Sequence, residues 1–216
     1  MFYSLCNAES CVKEVGPLNV VGNKLSPKEK ILNATLRIID TQGVQHATSR
    51  QIAAMADVNV ATINYYFGSK DMAVNEALKI FTRKLLTSYD YLDDLSVPPE
   101  TRIRNFLRSY ADYTLKYPDI FRNFVDQIFH DSTATIEYFE FMKQTGLNKL
   151  QISIQQAIQT QATETELTMK IFQMFSCLEI PVLVGAKLKC LAHFDYNDQD
   201  SRYKYIDLVL TSLLNT

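Results

Sequence analysis

The fold of this chain is decided by one stretch, TSRQIAAMADVNVATINYYFGSK, residues 48–70. Its apolar residues have the spacing of two short helices that pack across a tight turn. The inner face of this pair is formed by Ile52, Ala56, Val58 and Ile63, and it is closed by Tyr66 and Phe67. Residues 60–66, the second helix, carry no charge. The stretch therefore predicts a helix-turn-helix whose second helix presents uncharged side chains.

Local signals at the turn agree with this interpretation. Asn59 is a good N-cap for the second helix, and Ala53 is small where the two helices cross. Asp57 stands in the turn, where such motifs usually have glycine. Because Asp tolerates the left-handed backbone conformation better than most residues do, we expect the turn to form at some cost in stability.

Composition excludes several classes of protein. The 216 residues are 47% apolar and 21% charged, as in an ordinary globular protein. The net charge of −2 argues against a protein that coats nucleic acid non-specifically. Residues 24–71 nevertheless hold six cations and four acids, a charge of +2, so the rest of the chain carries −4. This asymmetry favours a nucleic-acid contact at the helix-turn-helix end.

The four cysteines have neither the density of a disulfide framework nor the spacing of a zinc site. They are interpreted as free thiols in a reducing compartment, with redox sensing by Cys177 or Cys190 as the alternative. No stretch approaches the ~20 uninterrupted apolar residues of a membrane span, and the N-terminus lacks the features of a secretory signal. A cytoplasmic protein without membrane contact is expected.

The remaining sequence predicts an all-α protein of about nine helices, since no segment alternates as a strand does. Residues 1–25 are interpreted as an N-terminal extension, 26–72 as the helix-turn-helix domain, and 73–216 as a helical regulatory and dimerisation domain. Ser26 with Pro27 should start the first helix, and Thr163 with Glu166 should form a capping box. Pro181 should kink the helix that contains it.

Residues 26–78, and above all the phrase NYYFGSKD, resemble the TetR family of bacterial transcriptional repressors. The rest of the chain resembles the regulatory half of that family only in length, helical character and the phrase YPDIFRNF. The departures are Asp57 in the turn, Asn64 where the family usually has tyrosine, and the N-terminal extension. The resemblance implies a homodimer that binds a near-palindromic double-stranded DNA operator and responds to a small molecule.

The chain offers several kinds of side chain for DNA binding. Val60, Ala61 and the Thr62 methyl group suit thymine methyls, and Asn64 suits either adenine or a phosphate contact. By resemblance, Tyr66 and Lys70 are phosphate anchors. The predicted DNA-binding residues are Thr48, Ser49, Arg50, Asn59, Val60, Ala61, Thr62, Asn64, Tyr65, Tyr66 and Lys70.

The regulatory half contains aromatic residues that together suit a hydrophobic or aromatic effector, while any one of them alone is better explained as ordinary core. The predicted pocket residues are Phe106, Tyr110, Tyr113, Phe124, Phe129, Phe172, Phe175 and Glu179. Glu179 is unusual because a carboxylate in an apolar run needs a partner. It either caps the break at Pro181, pairs across the dimer, or meets a cationic ligand.

By resemblance, the last two long helices form a four-helix bundle with those of a second copy. The predicted interface residues are Leu178, Val182, Gly185, Leu188, Ile206, Val209 and Leu213. The alternative is that these residues complete the core of one chain. For Gly185, the expectation is a close approach of two backbones.

An all-helical enzyme is the competing class. None of the phosphate-loop, dinucleotide, zinc-protease or nucleophile-elbow motifs is present, and the three histidines are far apart in sequence. We therefore predict no catalytic residue, no metal site and no cofactor. A further alternative is a DNA-binding dimer that needs no ligand, with a regulatory half that is filled core.

Overall fold

The computed structural model describes residues 25–128, 133–185 and 194–215. The predicted N-terminal extension, apart from Leu25, lies outside these ranges. The described residues are helical and contain no strand, so the all-α prediction is confirmed. The chain forms two compact units that divide between Ala77 and Leu78.

The first unit contains α1 (Pro27–Gln42), a 3₁₀ turn (Val44–His46), α2 (Ser49–Ala56), α3 (Val60–Phe67) and the first part of α4 (Lys70–Leu86). The second unit contains the rest of α4, a 3₁₀ segment (Thr87–Asp93), α5 (Pro99–Lys116), α6 (Pro118–Gln127), α7 (Thr133–Phe141), a π turn (Met142–Gly146), α8 (Leu147–Ala157), α9 (Glu164–Val184) and α10 (Gln199–Leu214). Because α7, the π turn and α8 are continuous, the described α-helices form nine rods, in agreement with the sequence.

Helix starts follow the local sequence signals. Ser26 accepts a hydrogen bond from the Glu29 backbone N–H, and the Glu29 carboxylate accepts one from the Ser26 N–H in return. Thr163 and Glu166 form the same reciprocal pair at the start of α9. Each box satisfies backbone donors that a helix start would otherwise leave without partners. Both predicted starts are confirmed.

Helix α9 continues through Pro181 and ends at Gly185. Proline has no N–H, so the carbonyl of Cys177, four residues earlier, loses its intrahelical donor. The Tyr205 hydroxyl on α10 donates to that carbonyl at 3.1 Å. The carbonyl that Pro181 leaves without an intrahelical donor is therefore hydrogen-bonded by Tyr205. Glu179 does not supply this bond.

Helix α9 is also the one described helix that is long and apolar enough to cross a membrane by length and composition alone, with a mean hydropathy of 1.5. In the second unit it packs against α5, α6, α8 and α10. Five of its apolar side chains are buried there: Leu167, Ile171, Met174, Leu178 and Val182. Its apolar composition thus serves the core of this unit on one side, while further apolar side chains remain exposed.

Charged side chains join α10 to α5. The Arg202 guanidinium, nearly buried, pairs with Asp112 at 2.8 Å, and the Tyr203 hydroxyl donates to the same carboxylate at 2.6 Å. One turn further along α10, Asp207 accepts from Arg108 at 3.0 Å. These polar contacts fix the register between the two helices, because each carboxylate meets its donor in only one alignment.

The contact at Pro181 generates a test of stability. Tyr205→Phe keeps the ring and removes the donor to the Cys177 carbonyl. We expect it to lower the free energy of unfolding by about 1 kcal/mol in urea titrations, the usual contribution of such a hydrogen bond. Tyr91→Phe, at an exposed tyrosine, is the control and should leave stability unchanged. Equal stability of the two variants would contradict the role assigned to Tyr205.

Candidate nucleic-acid interface

Helix α3 is held in place by one apolar face. Ile52 and Ala56 of α2 and Ile63 and Phe67 of α3 are buried, and both helices pack against α1. Ile52 and Ile63 have no exposed surface at all. Ile63 and Phe67 are four residues apart and therefore lie on the same side of α3. Because this side is buried, the opposite side of α3 stays open to solvent.

The turn between α2 and α3 is a Schellman motif. The Val58 N–H donates to the Ala53 carbonyl at 3.0 Å, and the Asp57 N–H donates to the Ala54 carbonyl at 3.4 Å. Asp57 has φ 53° and ψ 54°, and it is the one non-glycine residue of the described ranges with positive φ. The prediction that Asp57 adopts the left-handed conformation is confirmed.

Two predicted site residues start the helices of this motif. The Asn59 side-chain oxygen accepts from the Ala61 N–H at 2.8 Å, and the Thr48 hydroxyl accepts from the Gln51 N–H at 3.2 Å. These side chains position α2 and α3 and leave other backbone N–H groups of the first turns toward solvent. Such groups favour anions, because the positive end of the helix dipole lies there.

The exposed face of α3 carries the residues predicted to read DNA. Val60, Ala61, Asn64 and Tyr65 are exposed, and Thr62 is half-buried. The Tyr65 side chain is 82% exposed, and its ring meets the ring of Tyr66 edge to face at 5.0 Å. This surface offers one amide, hydroxyl groups and small apolar groups, the set that can contact base edges without charge.

The prediction that Tyr66 helps to close the inner face is wrong. Tyr66 is 39% exposed, whereas Phe67 is buried. The helical period explains this, since Ile63 and Phe67 are four residues apart and share a face, and Tyr66 lies about 100° away. The Tyr66 hydroxyl is thereby available at the surface, as a phosphate contact requires.

The positive charges flank α3. Arg50 is exposed in the first turn of α2, and Lys70, at the start of α4, pairs with Asp71 at 2.7 Å. That pair is exposed and so contributes little stability, which leaves Lys70 able to exchange partners. The Lys28 ammonium lies 5.9 Å from the centre of the Phe67 ring, near the end of α3. Lys28 is one of the six cations of residues 24–71 but is not among the predicted site residues, because only the fold brings α1 beside α3.

The predicted effector pocket is partly assembled in the second unit. Phe106 and Tyr110 are buried, and their rings lie 6.2 and 5.3 Å from that of Phe175. The Tyr110 hydroxyl donates to Glu179 at 2.9 Å. These four residues, from α5 and α9, come together.

The other predicted pocket residues lie elsewhere. Tyr113 and Phe124 both contact the ring of Phe81, with centroids 5.1 and 6.3 Å away. Tyr113 also borders an open cleft of about 580 Å³ lined by Arg108, Asp112, Lys116 and Tyr203, among others. Phe172 is 67% exposed, which places it on the surface of α9, and Phe129 lies outside the described residues.

Two tyrosines that sequence reasoning missed belong to the same cluster. Burial raises the pKa of Tyr138 to about 12, with a smaller contribution from the charge of Glu179. Burial likewise raises the pKa of Tyr89 well above its ordinary value. Burial also raises the pKa of Glu179 above the usual carboxylate range, and the hydrogen bond from Tyr110 opposes this only in part. No pattern in the sequence connects residues 89, 138 and 179, because they lie on three separate segments.

The predicted dimer interface requires a correction. Leu178, Val182 and Ile206 are buried in the core of a single chain, and Val209 and Leu213 are nearly so. Side chains that one chain already covers do not face a second copy. The apolar residues that α9 and α10 leave exposed are Met169, Phe172, Ile180 and Leu208. Leu188 lies outside the described residues.

Gly185 makes a contact within the chain that the sequence did not predict. It ends α9 with φ +60°, and a Cβ atom there would lie 2.5 Å from the Arg122 guanidinium. Arg122, on α6, donates to the Val182 carbonyl at 3.1 Å and so caps the end of α9. Glycine therefore suits this contact within the chain, and the approach of a second backbone stays a prediction. The described residues contain no cluster suited to a metal ion.

Comparison with known proteins agrees with the geometry of the first unit. The model of bacterial regulatory proteins of the tetR family matches residues 31–77. An uncharacterised helix-turn-helix regulator from Xanthobacter autotrophicus is 28% identical over 98 residues, which are 44% of this chain and 48% of that protein. The probable regulator YttP of Bacillus subtilis is 43% identical over 47 residues, 22% of this chain and 23% of that protein. The chain thus spans about half or less of the curated relatives it matches.

The overall fold has solved counterparts. The ketosteroid transcriptional regulator KstR2 of Mycobacterium tuberculosis matches with a TM-score of 0.63 and 16% identity, over 92% of this chain and all of that one (100%). At this level of identity the likeness concerns the fold alone. It includes the helical second unit, which the family model does not reach.

The environment of Glu179 generates a prediction for pH dependence. Its pKa is raised in the folded protein, so the cost of its buried charge is present at high pH and disappears as pH falls below the ordinary carboxylate range. Glu179→Gln should therefore unfold at higher temperature than wild type at pH 8, by roughly 2–4 °C for each kcal/mol removed. The difference should close toward about pH 4. Glu140→Gln, at an exposed carboxylate, is the control, and an equal shift at every pH would contradict the prediction.

Proposed function

Because its N-terminal domain belongs to the tetR family of bacterial regulatory proteins, we propose that this chain is a ligand-responsive repressor that binds a near-palindromic operator as a homodimer. The observation that carries the proposal is the exposed face of α3, which combines a free amide, two phenols and small apolar groups on a buried support. A helix of this kind fits the major groove, where each base pair presents its own pattern of donors, acceptors and methyl groups.

Base recognition falls to the first two turns of α3. The Asn64 amide can donate to and accept from one adenine edge, and this bidentate contact discriminates against other bases by about 1–3 kcal/mol. Val60 and Ala61 suit thymine methyls, since both are small, apolar and exposed. The proposed half-site therefore contains A·T pairs where α3 enters the groove.

Phosphate binding comes from both neutral and charged groups. The hydroxyls of Tyr65 and Tyr66 and the first N–H groups of α2 and α3 are neutral donors. Arg50, Lys70 and Lys28 are the nearby cations. Three cations per protomer correspond to a slope of about −5 for a dimer in a plot of log affinity against log salt concentration. This is a shallow dependence compared with that of strongly basic DNA-binding proteins.

Selection of bound duplexes from a random DNA pool tests DNA recognition and supplies the operator. On the selected duplex, Asn64→Ala should lose about 1–3 kcal/mol of binding free energy, and its base preference should relax at one base pair of each half-site. Tyr66→Phe should weaken binding to all duplexes by the same factor, because it removes only a phosphate contact. Equilibrium binding with base-substituted duplexes separates these two patterns.

Tyr91→Phe, at an exposed tyrosine of the second unit, is the control and should bind as wild type does. No enriched palindrome, before and after the protein is stripped of ligand by unfolding and refolding, would overturn the proposal. An Asn64→Ala variant with unchanged base preference would overturn only its assigned role in base reading.

Dimerisation is proposed to use the exposed side of α9 and α10. Phe172 is 67% exposed and Leu208 is 70% exposed, with Met169 and Ile180 also open on α9. On α9 these residues are 3, 8 and 11 positions apart, so they form one stripe of the helix. An apolar stripe of this kind is costly in water and is typical of a protein interface. Two copies are also what a near-palindromic operator requires.

Phe172→Glu places a charge in that stripe. We expect wild type to sediment as a dimer and the variant as a monomer, with loss of binding to the palindrome, because the interface would bury an unpaired carboxylate. Leu95→Glu changes an even more exposed apolar residue outside α9 and α10, and this variant should remain dimeric. A dimeric Phe172→Glu variant would place the interface elsewhere.

The effector is proposed to bind in the interior of the second unit, where aromatic rings of α5 and α9 meet. Helix α4 begins in the first unit and ends in the second, so it is the continuous element through which ligand binding would act. A coupling of about 1–3 kcal/mol would weaken operator binding roughly 5–150-fold. A regulator of this kind works in the cytoplasm.

A further inference from the structure

We propose that the effector is an organic cation, held in the second unit by the Glu179 carboxylate and the aromatic rings around it. The proposal rests on the proposed ligand response and names the chemical class of the ligand. Its basis is a carboxylate that lies among aromatic rings and forms no ion pair with another described residue.

Glu179 lies near the end of α9 and points into the unit. Among the described residues, its hydrogen bond is donated by the Tyr110 hydroxyl at 2.9 Å, and a phenol does not neutralise a carboxylate. None of the ion pairs formed among the described residues includes Glu179. A carboxylate that is largely removed from water and unpaired is costly, and a bound cation would remove that cost.

The groups around Glu179 are aromatic. Tyr110 and Phe175 lie edge to face at 5.3 Å, and Phe106 lies 6.2 Å from Phe175. Tyr89 extends the set, with its ring 4.7 Å from that of Phe106. Faces of such rings attract cations within about 6 Å, and rings grouped around a carboxylate recognise alkylated ammonium groups. Two independent features of the site thus select the same charge.

The π turn supplies a further observation at this place. It spans Met142–Gly146, and the Met142 sulfur accepts a hydrogen bond from the Tyr89 hydroxyl at 2.9 Å. A Cβ atom on Gly146 would lie 2.8 Å from that sulfur, so glycine leaves the room that Met142 occupies. Single π turns inside helices are frequent at functional sites, and methionine adapts its shape to a ligand more easily than branched residues do.

The position of Glu179 allows a ligand to reach it. The residue is only partly covered, whereas Tyr110 and Phe106 below it are fully buried. A ligand would therefore enter from the side on which Glu179 keeps some exposed surface. A neutral sterol would gain nothing from this charge, and a fatty acid would be repelled by it. The site discriminates among hydrophobic ligands by their charge.

The test compares three probes of similar shape and different charge: benzyltrimethylammonium, its neutral carbon isostere neopentylbenzene, and 3-phenylpropanoate. Binding to the full-length protein is measured by titration calorimetry and by tyrosine fluorescence. We expect the cation to bind at least about tenfold more tightly than the neutral isostere, and the anion to bind least.

Glu179→Gln keeps the shape of the side chain and its hydrogen bond with Tyr110. It should reduce cation binding by about tenfold or more and leave the neutral isostere unchanged. Phe175→Leu should lower the affinity for the cation although the carboxylate is retained. Glu140→Gln, at an exposed carboxylate, is the control. Circular dichroism of each variant verifies that it is folded before its affinity is compared.

The outcomes separate this inference from the proposed function, because DNA binding is measured on the same preparations without probe. Equal affinity for cation and neutral isostere, or cation binding that Glu179→Gln does not change, would overturn the inference while operator binding stands. Cation binding that depends on Glu179, in a protein that enriches no palindrome, would instead overturn the proposed function. Release of the operator by the cation in wild type but not in Glu179→Gln is the result expected if both hold.

Discussion

The rest of the first unit depends on the apolar contact that α2 and α3 make with α1. Ile52 and Ile63 are completely covered there, and their burial contributes about 1.5–3 kcal/mol each. This contact sets which side of α3 is buried and therefore which side is exposed. The Schellman turn at Asp57 and the cap at Asn59 then fix where α3 begins. The face proposed to recognise DNA is thus a consequence of packing, because its exposed residues are those that the core does not need.

The second unit follows the same principle with a different result. Its two last helices are apolar on more than one side, and the core takes Leu178, Val182 and Ile206. What remains outside is a stripe on α9 and one residue on α10. Inside, Glu179 is enclosed by rings that cannot neutralise it, and the cost of that enclosure is what a cationic ligand would remove. Each unit therefore has a surface or a site whose side chains are not used by the packing of its own core.

Much of this could be predicted from local sequence. Capping boxes and the left-handed Asp57 involve neighbours within about five positions, and the inner residues of the helix-turn-helix lie within one short stretch, 52–67, so residue type and spacing determine them. Tyr66 was misplaced because a helix of eight residues allows more than one choice of buried face. The dimer residues were misassigned because periodicity identifies apolar positions but not the chain that covers them. Tyr89 and Tyr138 could not be found, since only tertiary packing brings three distant segments to Glu179.

The most direct test of the central claim, that the uncharged face of α3 reads DNA in each of two copies, is footprinting of the protein on its selected duplex. Interference by 7-deazaadenine should locate the adenines that the protein reads in the major groove, and hydroxyl-radical protection should locate two protected segments of backbone on one face of the DNA. Their centres should lie about one helical turn, or a multiple of it, apart. Asn64→Ala should lose interference at one adenine in each groove and keep the backbone protection. Protection confined to the backbone, with no interference in either groove, would contradict base reading by α3.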